Sequence, residues 1–201
     1  MKFGYLRSNL MPVAALALTI GLIGCGSSKT PEQTNTAAAD NPAPPPPPKL
    51  SSDDKDFLST AAKDGYAEIQ LAQLALEKAR TKGVKDLAQK ILDDHQKANS
   101  ELAKIATTKG VTLPDSTALT DKASEAKLKA YSGMHFDQAY VSGMVDNHKD
   151  AITLFQKEAA NGSDPDVKQF ASSTLTALQE HLTTAQELEN KLKVAKGEKK
   201  T

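Results

Sequence analysis

From Ser51 to Lys193 apolar residues recur every three or four positions, in four long stretches separated by short breaks. That is the period of a helix with one face turned toward a core. The first stripe is Ala61, Gly65, Glu68, Ala72, Ala75 and Ala79, small residues with one carboxylate in the middle. A buried carboxylate is costly unless something pairs with it. Whatever this chain folds into must bring a partner to Glu68.

Ser51 with Asp54 three residues later has the spacing of a capping box, with Asp in place of the usual Glu. It predicts a first helix running to about Arg80 and stopping near Lys82-Gly83. A second helix is expected from about Val84 to about Lys109, stopped by Gly110. Its stripe is Val84, Ala88, Ile91, Leu92, Ala98, Leu102 and Ala106, with His95 at the centre. The short break predicts an antiparallel hairpin. A third long helix is expected from about Phe136 to about Ala160, its stripe built on Val141, Met144, Val145, Ala151, Ile152, Phe155 and Ala159 around His148. The fourth is expected after Ser163 as N-cap and runs to about Lys193. Asp164-Pro165-Asp166 lies in its first turn, where acids and proline are favoured. Its stripe, from Phe170 through Leu178 and Ala185 to Leu192, is centred on His181.

About 25 residues join the second and third stretches. They predict one short helix, about Asp121 to Tyr131, capped by Thr120 and ended by Gly133. A crossover this long lets the next helix start at either end of a bundle, the ferritin-like pattern. The expected fold is all-α: a ferritin-like four-helix bundle with a long crossover carrying a short extra helix.

Each long helix thus has one ionisable residue in mid-stripe: Glu68, His95, His148 and His181. In a bundle the midpoints of similar helices share one layer, so the four side chains would meet on the axis. Three imidazoles and a carboxylate form a full ligand set for a single transition-metal ion, with zinc, copper and iron all suited. A metal-free alternative stays open, in which Glu68 and the histidines form a buried hydrogen-bonded network. Asp94 and Glu180, each just before a histidine, point about 100° away from the stripe and can support the ligands only from outside. The two halves echo one another: Asp94-His95 with Glu101-Leu102 is matched by Glu180-His181 with Glu187-Leu188. Such an internal repeat suggests a duplicated helical hairpin.

The N-terminal 50 residues have a different character. Lys2 and Arg7 precede an apolar run, Met11 to Gly24, of about 14 residues, shorter than the ~20 needed to span a bilayer. The run ends in Leu22-Ile23-Gly24-Cys25, which resembles a bacterial lipobox. Residues 1–24 are therefore expected to be a lipoprotein signal peptide, and Cys25 the lipidated residue that attaches the protein to a membrane. Gly26 after the cysteine resembles the signal for outer-membrane sorting, facing the periplasm. Cys25 is the single cysteine, so no disulfide can form within the chain. Residues 25–50, polar and then proline-rich up to Pro48, read as an extended tether with little to bury. Residues 51–193 are the bundle and 194–201 a basic tail.

The globular part resembles the DUF4142 family of bacterial envelope proteins. The resemblance rests on Ala67-Glu68-Ile69, Asp93-Asp94-His95-Gln96-Lys97-Ala98-Asn99, Phe136-Asp137-Gln138-Ala139-Tyr140, Met144-Val145-Asp146-Asn147-His148, and Asp164 to Ala171 with Glu180-His181-Leu182. It implies a ferritin-like fold and an envelope compartment, with no settled activity. Where the family reads Asp-His, this chain reads Asp146-Asn147-His148. Di-iron proteins of ferritin-like fold use Glu-x-x-His on two helices. Here Leu92, Val145 and Leu178 stand three residues before the histidines, which disfavours a di-iron oxidase. Met144 lies one turn from His148, and with Met134 and His135 the segment looks like the Met/His helices of DUF305-type proteins. The bland reading of Met144 is core filler.

The chain has 25 Lys and Arg and 25 Asp and Glu, with no clustered basic face of the kind that nucleic-acid binding needs. No nucleophile–base pair, phosphate loop or paired catalytic carboxylates are apparent, so an enzymatic reading lacks support. Two functions remain: a metal-binding envelope protein for storage, sequestration or sensing, or a structural and interaction module whose buried Glu and His residues only pack.

Overall fold

The computed structural model describes residues 50–114 and 122–197. The expected signal peptide, Cys25, the tether as far as residue 49, Thr120 and the last four residues lie outside this range, while Leu50, expected as the end of the tether, is buried in the core. The described residues form α1 (Ser52–Lys78), α2 (Lys82–Thr108), α3 (Lys122–Lys129), α4 (Gly133–Asn161) and α5 (Pro165–Gly197). No helix among them is long and apolar enough to cross a membrane.

The four long helices form a closed ring in which α1 packs on α2, α2 on α5, α5 on α4 and α4 on α1. All neighbours run antiparallel. The end of α1 and the start of α2 meet the start of α4 at Asp137, and the start of α1 meets the α4–α5 connection at Asp54. The connection through α3 therefore travels the length of the bundle, as expected for a ferritin-like crossover.

The capping box forms as the sequence predicts: Asp54 N donates to Ser51 Oγ at 3.0 Å, and Ser51 N donates to the Asp54 carboxylate at 3.2 Å. Four expected helix boundaries differ, one of them the end of α5, which runs to Gly197 and takes in the start of the expected tail. Lys82-Gly83 opens α2 and does not close α1, whose C-cap is Ala79. Gly133 opens α4 with φ 56° and does not end the short helix. The N-cap before α5 is Asp164, not Ser163: its Oδ1 accepts the amides of Asp166 at 3.0 Å and Val167 at 3.3 Å. Ser163 instead donates its amide to Asp54 at 2.8 Å.

The hydrophobic core falls into two clusters. One packs Leu71 to Ala79, Val84 to Ile91, Phe136 to Val145, and Ala185 with Leu192. The other packs Phe57 to Ala62, Leu102, Phe155, and Val167 to Leu178. The gap between them is the layer that holds Glu68 of α1, His95 and Asn99 of α2, His148 of α4 and His181 of α5. All six residues of the first stripe, from Ala61 to Ala79, are buried.

Candidate metal centre

The structure brings three of the four predicted residues together. Donor atoms of His95, His148 and His181 lie within 4.8 Å of one another. His148 and His181 are almost fully buried and His95 is partly so. The ring centroids are 5.2 to 5.9 Å apart. Helical spacing explains the meeting: His95 continues Val84, Ala88 and Ile91 along α2, His148 follows Val141, Met144 and Val145 on α4, and His181 follows Phe170 and Leu178 on α5.

The outer partners of two rings determine where their protons sit. His148 Nδ1 lies 2.9 Å from the Met144 carbonyl, which can only accept, so Nδ1 carries the proton. His181 Nε2 lies 2.8 Å from Asp94 Oδ2, so that nitrogen donates to the carboxylate. In the neutral rings, both remaining nitrogens then carry lone pairs. These two atoms, His148 Nε2 and His181 Nδ1, face each other at 3.2 Å. Two lone pairs at that distance repel unless a cation lies between them. His95 Nε2 is also buried without a partner. Tetrahedral zinc with Zn–N near 2.05 Å would separate its nitrogens by ~3.3 Å, so the His148–His181 pair already has the spacing of two metal ligands. A ligating histidine whose other nitrogen donates to a carboxylate or backbone carbonyl is the usual outer arrangement of protein metal sites.

Electrostatics keep the rings in the ligand form. Burial pushes His95 down to about 3 and His148 down to about 4, with neighbouring imidazoles adding to the shift. His181 is also lowered by burial, against the pull of Asp94. Burial would raise Asp94, but hydrogen bonds from His181 and Lys90 more than offset it and hold the carboxyl below its ordinary value. The rings are thus neutral near pH 7, the state that binds metal.

Glu68 is buried, as its stripe requires, but stands outside the histidine trio. Its Oε1 accepts from Asn147 Nδ2 at 2.8 Å, and its Oε2 is buried without a partner. Burial pushes it up to about 7, with Asp64 adding repulsion and Asn147 opposing. The extra residue that separates Asp146 from His148 is therefore the partner of Glu68. Asn99 was not singled out from the sequence. It is buried one turn beyond His95, with Nδ2 unpartnered. Its side chain lies against Gly65, where an added Cβ would come 2.3 Å from Asn99 Oδ1. The signal was available: an asparagine four residues past a mid-stripe histidine, opposite a glycine in a small-residue stripe.

Asp94 supports His181 directly. Glu180 is exposed and reaches the site only through Lys90, which bonds Asp94 at 3.1 Å and Glu180 at 3.2 Å. The Met144 side chain is packed in the core, and its backbone carbonyl is what contacts His148. His135 is exposed.

The molecule is thus an antiparallel four-helix bundle with a buried three-histidine centre at mid-height. The sequence profile of DUF4142, a domain of unknown function, matches residues 39–188. The chain belongs to that family. Among solved structures, the fold is similar to a DUF305 fragment from Deinococcus radiodurans, with TM-score 0.64 and 14% identity over 72% of this chain and 99% of that one. It is also similar to CopM in the Cu(I)-bound form, with TM-score 0.60 and 17% identity over 69% of this chain and 96% of that one. A dodecameric thioferritin from Bacteroides fragilis matches with TM-score 0.55 and 17% identity, covering 75% and 92% of the two chains. At these identities the likeness is one of fold. No curated protein sequence matches.

Proposed function

We propose that this protein binds one transition-metal ion through His95, His148 and His181, and serves in metal storage, sequestration or sensing at the bacterial envelope. One observation carries the reading. Two imidazole nitrogens with their protons held outward face each other at 3.2 Å, beside a third buried imidazole nitrogen with no partner. Imidazole suits zinc, copper and iron. Copper gains some weight from the Cu(I)-, Cu(II)- and Ag-bound CopM structures that share the fold.

The envelope setting rests on Leu22-Ile23-Gly24-Cys25 and on the proline-rich segment after it. In this reading Cys25 carries the lipid, and the tether stands the bundle off the outer membrane toward the periplasm. Cys25→Ser is expected to abolish palmitate labelling and to move the protein from the membrane fraction to the soluble one.

The metal reading is tested on protein purified without a polyhistidine tag, dialysed against zinc, copper or iron. One equivalent bound at sub-micromolar affinity is expected, and His148→Ala should abolish it. Absence of any first-row metal at that level, or unchanged binding in His148→Ala, overturns the reading. It would leave the trio as a metal-free packing network in a structural module.

A further inference from the structure

The histidine centre has two sides, and they differ. On the α2–α5 side Asp94 lies behind His181, and Lys90 bridges Asp94 and Glu180 over it. A lysine ammonium there covers the approach and repels an incoming cation. On the other side lies a cavity of about 590 Å³ lined by Asp64, Glu68, His95, Asn99, Asn147 and His148. It reaches the surface at two exposed acids, Asp64 and Asp150, with one exposed base, Lys63, beside them, so acids outnumber bases at this mouth.

Among apolar side chains such as Phe155 and Leu178, the inner wall of this cavity presents a buried carboxylate with one unpartnered oxygen. Glu68 is 6% exposed, yet its Oε2, an acceptor, bonds to nothing. Asn147 gives its amide hydrogen to Glu68 Oε1, which orients the carboxylate and leaves Asn147 Oδ1 free of that bond. Buried polar groups are nearly always paired, and orphans call for an unseen partner. Water occupies roughly 30 Å³ per molecule, so six waters around an ion need ~180 Å³ and the cavity holds them easily. Carboxylate, amide carbonyl and water are the ligands that a hydrated divalent ion accepts without losing its shell.

We infer that this cavity is a cation antechamber: Asp64 and Asp150 draw in a hydrated divalent metal ion, Glu68, oriented by Asn147, holds it, and the histidines then take it. The inference rests on the three-histidine centre and adds its loading route. The oxygen site strips little water, while the nitrogen site strips more and binds more tightly. The ion thus crosses from solvent to the buried centre in two smaller steps. An acid-lined cleft with low-dielectric walls raises the association rate of cations.

The test is stopped-flow uptake of Co²⁺ by the untagged full chain at low salt, read by the visible absorption of the histidine-bound ion. Asp64→Asn combined with Asp150→Asn is expected to slow association about tenfold while moving Kd less than about threefold, with 0.5 M NaCl erasing the difference. Both changes are on exposed positions, so the fold is kept. Glu68→Gln should also slow loading. Asp86→Asn, which removes one negative charge at an exposed site paired to Lys82, should not. If wild-type uptake shows no absorption that depends on His148, the metal centre and the antechamber both fall. If uptake depends on His148 but the acid pair or Glu68→Gln loads at the wild-type rate, or Asp86→Asn slows it equally, the antechamber falls and the centre stands.

Discussion

Asp94 is the residue through which the three-histidine centre can be probed without touching a ligand. Its carboxylate holds His181 Nε2 at 2.8 Å and so aims Nδ1 inward. Asp94→Ala is expected to weaken metal binding about 10–100-fold with the fold intact, since an outer carboxylate sets ring tautomer and basicity. Isothermal titration beside a circular-dichroism melt checks this. Glu68 answers a different question. Its folded-state value, about 7, lies above the ordinary 4.5. The folded protein is therefore favoured while the acid keeps its proton, and that advantage is lost as pH rises from about 4.5 through about 7. Glu68→Gln keeps an acceptor for Asn147 and removes the charge. In metal-free protein it should match wild-type stability near pH 4.5 and exceed it by about 1–3 kcal/mol at pH 8. Urea denaturation across that range decides it, and a constant difference at all pH values would contradict the shift.

At the scale of elements, the two hairpins clamp one another at their tips. Asp137 on α4 accepts the amides of Arg80 and Thr81, both at 2.8 Å, in the three-residue connection from α1 to α2. Asp54 on α1 does the same for Ser163 before α5. Asp137 satisfies backbone donors at a helix start that the local sequence leaves open, because Thr81 makes no side-chain cap bond, whereas α5 is capped by its own Asp164 and Asp54 takes the amide just before it. Asp137→Ala is expected to cost about 1–3 kcal/mol, from two part-buried amides losing their acceptor, measured by the urea midpoint. This arrangement also explains the boundary errors of local reading. Lys82-Gly83 looks like a stop because glycine commonly ends helices. A distant carboxylate makes it a start. By contrast, the Ser51–Asp54 box and the Gly110 stop depend on neighbours in the chain alone, and the sequence predicts both correctly.

Over the whole molecule, a ligand that binds only the folded state must stabilise it. At a metal concentration a hundred times Kd the gain is about 2.7 kcal/mol, or a rise in melting temperature of roughly 5–10 °C for a domain this size. Calorimetry with and without chelator tests it, and His148→Ala should remove the rise. The gain should be centred on the polar layer, because that layer is where the apolar core is interrupted between its two clusters.

What the sequence determined by itself is the set of stripes. Helical period places Glu68, His95, His148 and His181 inward at mid-helix, since the direction of a side chain on a helix follows from its position. The long crossover likewise made the ferritin-like topology legible. Only the tertiary structure decided which of the four meet. Ring order and the axial offset between helices put three imidazoles within 4.8 Å of one another and leave Glu68 on the cavity wall with Asn147. Those heights come from packing between helices and from the Asp54 and Asp137 clamps. Periodicity along one helix carries no information about the height of its neighbour. Glu68 has a partner, as its burial demanded, but the partner is an amide from the residue beside a histidine.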